Sequence, residues 1–329
     1  MRIAIDAMGG DHAPGLIVQG ALEAAAEWPD TELLLVGDKV AIEPLLKGSL
    51  PTNVKIIHAE EVIGPDDEPV RAVRRKKGAS MVVAGQLVKD KQADAMLSAG
   101  NTGALMATGL LIVGRMDGIE RPALAPMMPT MDDIGVLALD LGANMDAKPE
   151  HLLQYAIMGS IYRSKVHGIK EPRVGLLNVG TEAKKGTETA KAAFDLLEQA
   201  PINFIGNVEA RDVLNRNCDV LICDGFAGNI MLKAMEGTAG TIFSMLKEAF
   251  GSSVLTKIAA AIMLPKLKQL KKKMDYKEHG GAPLLGLNGL VVKCHGSSDV
   301  IAVKNAVRQA RIALQGNLID SISAEINGK

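Results

Sequence analysis

Nine short apolar runs recur along the 329-residue chain: "IAI", "ELLLVG", "VKII", "AMLSAG", "GVLALDLG", "RVGLLNVG", "INFIG", "DVLICDG" and "LVVKCHG". Most are followed by a stretch with helical periodicity, among them Leu16 to Glu27, Gly103 to Val113, His151 to Lys165 and Glu188 to Gln199. Strands that read as near-continuous apolar runs are buried on both faces, and alternation with helices implies a parallel sheet joined by right-handed crossovers. The pattern therefore predicts an α/β fold of three α/β/α layers around a mainly parallel sheet. Segments near Pro122 to Thr130 and Ile134 to Asp140 are close enough to supply one antiparallel pair. No repeat or long linker marks a boundary, so residues 1–329 read as a single α/β/α unit.

One segment departs from this pattern. After a helix predicted from about Ala227 to Phe250, residues 251–277 read as a helical hairpin protruding from the α/β body. Within it, Val254 to Met274 is predicted as two amphipathic pieces broken at Pro265, since proline removes a helical hydrogen bond. Leu255, Ile258, Ile262 and Leu264 give the hairpin an apolar tip, and six lysines lie between Lys257 and Lys273 with no acid between Glu248 and Asp275. Each lysine near an anionic leaflet contributes about 1 kcal/mol, so the segment suits reversible contact with an anionic membrane surface; a dimer-packing helix pair with a solvated lysine face explains the same pattern. A second basic cluster, "RAVRRKK" from Arg71 to Lys77, reads as one helix and a docking face for an acidic protein, or as an ordinary solvated helix.

The formal net charge of -1 gives no global attraction to nucleic acid. Three cysteines, Cys218, Cys223 and Cys294, without a C-x-x-C pair, suggest a reduced cytoplasmic chain. No two of the 34 glycines stand at i and i+2, which excludes the G-x-G-x-x-G dinucleotide fingerprint, and no P-loop, G-x-S-x-G elbow or H-E-x-x-H is present. These absences point away from metal sites and from a bound cofactor.

The residues at the carboxyl ends of the strands are more informative. Asp6 leads into Gly9, Gly10, Asp11 and His12, and Ser98 into Gly100, Asn101, Thr102 and Gly103. Asp140 precedes Asn144, Asn178 precedes Lys184, and Asp224 precedes Gly225, Gly228, Asn229 and Lys233, while His295 begins "HGSS". In an open parallel sheet the carboxyl ends of strands share one edge, where ligands bind. Glycine-rich backbone and helix N-termini there make an anion nest, so the favoured ligand carries phosphate. Each loop taken singly is also an ordinary helix cap or turn.

The strings "DAMGGD", "SAGNTGALM", "GIERPAL", "LDLGAN", "MGS" at 158–160, "PRVGLLNVGTEAKKG", "DVLICDGFAGN", "LLGLNG" and "KCHG" occur in this order. Together they resemble the phosphate acyltransferases of bacterial phospholipid synthesis, the PlsX family, from about Arg2 to about Leu314. The resemblance implies transfer of a long acyl chain from acyl carrier protein to inorganic phosphate. It also implies a homodimer with a fold akin to isocitrate and isopropylmalate dehydrogenases, located in the cytoplasm and peripherally associated with the inner face of the membrane, where a membrane glycerol-3-phosphate acyltransferase consumes the product.

On that reading Lys184 is the expected phosphate cation, Asn229 a donor to phosphate or oxyanion, and Asp224 a pairing or proton-handling group. His295 is the expected acid for the departing sulfur, with His12 a weaker choice. Asp6 and Asp140 orient loops, and the remaining strand-end residues, Gly9, Gly10, Asp11, Ser98, Gly100, Asn101, Thr102, Gly103, Asn144, Gly225, Gly228 and Lys233, bind the phosphate and thioester. Two other readings stay open on sequence: a short-chain phosphotransacetylase-like enzyme using acyl-coenzyme A, and a membrane-associated scaffold.

Overall fold

The computed structural model describes residues 1–46, 48, 50–273 and 280–328. In chain order the first part runs β1 (Arg2–Asp6), α1 (Gly15–Glu27), β2 (Glu32–Gly37), α2 (Lys39–Ile42), β3 (Val54–His58), α3 (Pro69–Arg75), α4 (Ser80–Lys89), β4 (Ala95–Ser98) and α5 (Thr102–Thr108). A π-helical turn, Gly109–Val113, extends α5. Next come β5 (Ala123–Leu124), β6 (Met127–Met128), β7 (Val136–Leu139), α6 (Pro149–His167), β8 (Arg173–Asn178), α7 (Glu188–Glu198), β9 (Asn203–Glu209) and β10 (Val220–Ile222). The chain then forms α8 (Gly225–Gly251), α9 (Val254–Lys273), β11 (Ala282–Leu285), β12 (Leu290–Lys293), α10 (Val300–Gln315) and α11 (Leu318–Ile326).

All nine predicted runs form strands, but in two sheets rather than one. The larger has the order β3-β2-β1-β4-β12-β11-β5, parallel except where β11 runs against β12 and β5. The smaller has the order β6-β7-β10-β8-β9, with β6 antiparallel to β7 as the sequence spacing anticipated.

Alternation along each strand sorts side chains between cores. Ile3 and Ile5 of β1, with Leu137 and Leu139 of β7, enter one apolar cluster that spans both sheets and takes in α1, α6, α10 and α11. Ala4 points the other way, into a core under α4 and α5, and Val136 and Ala138 enter a third core beneath the start of α8. Gly159 lets α6 lie close to the smaller sheet: a Cβ there would come within 2.6 Å of Val220 and 2.9 Å of Leu139.

The helical excursion differs from expectation at Pro265. One helix, α9, runs through it without a break. This stretch is largely exposed, so water can satisfy the carbonyl that the missing N–H leaves unpaired. Beyond its first turns α8 stands clear of the body: side chains added at Gly237 or Gly240 would meet nothing within 4 Å. Ile258, Ile262 and Leu264 are exposed, 76% in the case of Ile262, whereas the Leu255 side chain and Met274 lie outside the described residues. Among the described residues no helix is long and apolar enough to cross a membrane.

In the larger sheet the crossovers from β1 lead to β2 and β3 on one side, and β4 lies on the other, so strand order reverses between β1 and β4. Asp6 and Ser98, partners in register at that reversal, end the two strands. Asp6 is buried, and its two carboxylate oxygens accept the hydroxyls of Ser80 and Ser98, each at 2.6 Å, with the Met8 amide at 3.3 Å. Burial raises its pKa against the pull of these hydrogen bonds.

Both features have measurable effects on stability. Gly159→Val overpacks the α6 contact and lowers unfolding free energy by about 2 kcal/mol, read by urea denaturation. Because Asp6 binds its proton more tightly when folded, its contribution is full below the unfolded carboxylate pKa and fades as pH rises through the raised folded value. Asp6→Asn, compared with the unchanged chain between pH 4 and 7, therefore gains relative stability as pH increases; a pH-independent difference would contradict the shift.

Candidate active site

A cavity of about 610 Å³ opens at the carboxyl edge where the two sheets meet. Thr102 and Gly103 from the β4–α5 loop, Gly142 and Asn144 from the β7–α6 loop, and Asn229 and Lys233 from α8 line part of it. The end of β12 and the loop after it add Lys293, Cys294, His295 and Ser298. The rest of the wall is largely apolar, with Met106, Leu110, Leu124, Met127, Leu141 and Leu232.

Several of the residues singled out on sequence shape this edge from behind. Asp140 is buried and accepts the Ala143 amide at 3.0 Å and the Asn144 amide at 2.6 Å. The Asn144 side-chain nitrogen donates to Asp140 and to the Pro122 carbonyl, so its donors are already engaged. Burial raises the Asp140 pKa, opposed by these hydrogen bonds. Gly225 donates its amide to the Asn144 carbonyl at 2.9 Å, and Gly228 sits where any side chain would strike the Asp140 carbonyl and the Cys223 sulfur.

Asn101 caps α5: its side-chain oxygen accepts the Ala104 amide at 3.1 Å and its nitrogen donates to the Gly64 and Pro65 carbonyls. Asp224 caps α8 through the Ala227 amide at 2.7 Å. It stands behind the wall and contributes no lining.

The β1 loop also lies behind the cavity. Gly9 packs against the Asp6 carboxylate and the Gly100 amide, and Gly10 has a φ of +116°, open to glycine at little cost. Asp11 donates its amide to the Gly296 carbonyl at 2.8 Å, bracing the β12 loop, while its side chain and that of His12 are exposed. Neither residue lines the cavity.

Lys184 is exposed on the loop between β8 and α7 and is likewise absent from the lining. The reason is strand order: β10 separates β8 from β7, so the β8 loop opens away from the cavity. Asn178, at the end of β8, spends its side chain on the Lys185 carbonyl and the Val179 amide.

The cations that do line the cavity are Lys233, Lys293 and Arg121. Lys233 pairs with Glu236 at 2.9 Å. Lys293 is partly buried, donates to the Gly100 carbonyl at 2.9 Å and to the Cys294 carbonyl, and burial lowers its pKa. Among the described residues Arg121 has no hydrogen-bond or ion-pair partner, and no carboxylate lines the cavity. Sequence reasoning passed over Arg121 and Lys293, although they lie in "GIERPAL" and "LVVKCHG". The signal for Lys293 was a lysine inside an apolar run, a residue type almost never buried without a partner.

Of the expected donors, Thr102 and Asn229 keep side chains without a hydrogen-bond partner among the described residues and face the cavity. The His295 ring accepts the Ser297 amide at Nδ1, at 3.1 Å, which assigns the proton of the neutral ring to Nε2. Burial pushes the thiols of Cys218 and Cys294 up to about 12 and that of Cys223 well up too, so none is a ready nucleophile.

The molecule can be set beside known proteins. Residues 1–321 match the family described as "Fatty acid synthesis protein". A phosphate acyltransferase of Brevibacillus brevis is 58% identical over 99% of this chain and 97% of its own length, and one of Geobacillus sp. (strain WCH70) is 58% identical over 99% and 98%. Among solved structures, a phosphotransacetylase from Streptococcus pyogenes superposes with a TM-score of 0.61 at 18% identity, covering 97% of this chain and 94% of that one. A 4-hydroxythreonine-4-phosphate dehydrogenase from Klebsiella pneumoniae gives 0.52 at 12%, covering 95% and 99%. These two likenesses establish the three-layer α/β/α fold. With near-complete coverage by both the family match and the curated relatives, the chain belongs to the fatty acid synthesis protein family, among the phosphate acyltransferases.

Proposed function

We propose that this chain transfers a long-chain fatty acyl group from acyl carrier protein to inorganic phosphate, giving acyl phosphate and the free carrier thiol, with no covalent enzyme intermediate. The observation that carries the reading is one cavity in which an apolar wall meets Arg121, Lys233 and Lys293, with no lining carboxylate among the described residues. Such a cavity suits a dianion beside an alkyl chain.

The chemistry needs positioning more than acid–base work. A phosphate oxygen attacks the thioester carbonyl carbon, the carbonyl oxygen becomes an oxyanion, and the C–S bond breaks to release a thiolate. A thiol with a pKa of about 8.5 is a good leaving group. Arg121 and Lys233 hold the phosphate, and the Asn229 amide, with the Thr102 hydroxyl, donates to the oxyanion. His295 Nε2–H donates a hydrogen bond to the departing thiolate, which takes its proton from water after release. Lys293, tied to two carbonyls, offsets the charge from beneath.

Asn229→Ala is expected to lower acyl phosphate formation, trapped as hydroxamate from acylated carrier protein, by more than tenfold without change in Tm. Acetyl-coenzyme A as the better donor would instead favour short-chain phosphotransacetylase chemistry. Lys184 does not line this cavity, so a matching loss for Lys184→Ala would support a homodimer in which a second copy of the chain completes the site.

The product is an amphiphile, and its consumer is a membrane glycerol-3-phosphate acyltransferase. In this reading the α8–α9 arm rests on the anionic inner face of the cytoplasmic membrane, through exposed Ile258, Ile262 and Leu264 with Lys257 and Lys266 beside them. Flotation with anionic liposomes checks it: an Ile258→Glu, Ile262→Glu double variant is expected to remain in the soluble fraction, and equal flotation of both proteins would remove this tip from the contact.

A further inference from the structure

A second cavity, of about 720 Å³, adjoins the first, and Leu110 and Arg121 belong to the walls of both. Arg115, Glu120, Lys148 and His151 complete its polar surface. Three cations thus face one carboxylate, and that carboxylate is already engaged: Glu120 Oε2 lies 2.9 Å from His151 Nε2, which holds its pKa below the usual range.

The surface is held in place from within. His151 is buried, and its Nδ1 accepts the Lys148 amide at 3.1 Å. Arg115 is fixed by donating to the Glu120 carbonyl at 2.7 Å while keeping its charge. Lys148 and Arg121 have no ion-pair partner among the described residues. Lys148 is also the N-cap residue of α6, a 19-residue helix, so the positive end of that helix opens into the same space.

We propose that this outer cavity seats the phosphodiester of the acyl donor's pantetheine arm, with Leu110 and Arg121 marking the passage by which the thioester end enters the reaction cavity. The inference rests on the thioester-donor reading above and names a binding site for the anionic part of that donor. A phosphodiester matches the surface because its charge is permanent and its oxygens accept from guanidinium and ammonium groups at once. The same arm occurs on carrier protein and in coenzyme A, so the shared chemistry is what the site recognises.

Lys148→Glu tests this with both acyl donors at fixed phosphate. The expected result is a KM for each donor raised at least tenfold, a KM for phosphate within twofold of the unchanged enzyme, and recovery of the donor KM to within threefold in Lys148→Arg. 4′-Phosphopantetheine, titrated by calorimetry, is expected to bind the unchanged chain and to lose that binding in Lys148→Glu. An unchanged donor KM in a variant with unaltered circular dichroism would overturn the proposal. So would a loss confined to the carrier-protein donor, since the charge would then be reading the carrier's own surface. If the unchanged chain makes no acyl phosphate from either donor, the functional reading fails separately, and the calorimetric titration still decides whether the outer cavity takes the arm.

Discussion

The reaction edge depends on two buried carboxylates, one per sheet, that accept hydrogen bonds from the loops around them. A carboxylate removed from water costs several kcal/mol unless such donors replace its hydration. Asp6 takes the hydroxyls of Ser80 and Ser98, the Ser98 oxygen in turn accepts the Gly100 amide, and the Gly100 carbonyl receives Lys293. The ends of β1, β4 and β12 are locked in one line by this relay. Asp140 does the equivalent for the smaller sheet, binding the turn that carries Asn144, to which the start of α8 is then fastened through Gly225. Neither carboxylate reaches the substrate space, and both determine which groups do.

The cavity is consequently a seam. Its polar groups come from the larger sheet through Thr102, Lys293 and His295, and from the smaller through Asn229 and Lys233. Its apolar wall is shared in the same way, with Met106 of α5 and Leu110 of the turn that extends it, and with Leu141 and Leu232 from the smaller sheet's side. Adjustment of one sheet against the other changes the distance between Thr102 on one side of the cavity and Asn229 on the other. The central apolar cluster, which includes side chains from both sheets, opposes such movement.

Much of this was legible in the sequence. The apolar runs located every parallel strand, because a strand buried on both faces has no polar alternation to disguise it. The place of Asp6 and Asp140 at strand ends beside glycines could be read from the sequence, while the hydroxyls that Asp6 accepts, those of Ser80 and Ser98, are distant along the chain and the donors to Asp140 lie in its own turn. Strand order was not legible: nothing local in "NVGTEAKKG" shows that β10 intervenes between β8 and β7, and so Lys184 looked as close to the centre as Asn229. Division into two sheets was hidden for the same reason, since β5, β6 and β11 are short and acquire their identity only from their partners. Pro265 was misjudged because the cost of a proline depends on solvent access, which the local sequence does not state. Capping residues such as Asn101 and Asp224 carry the same letters whether they serve a helix or a ligand, and hydrogen bonding alone separates the two.

Asn229 occupies the first turns of α8, and the same 27-residue helix continues, without a break, to the base of the exposed α9 tip. At 1.5 Å per residue it measures about 40 Å. It is therefore a strut of fixed length between the cavity wall at Asn229 and the exposed α9 tip, and it holds the two apart by a distance of that order. If the tip rests on a membrane as proposed, an insoluble product has to cross that same span from the cavity, by diffusion along the arm or by a handover partner of matching height.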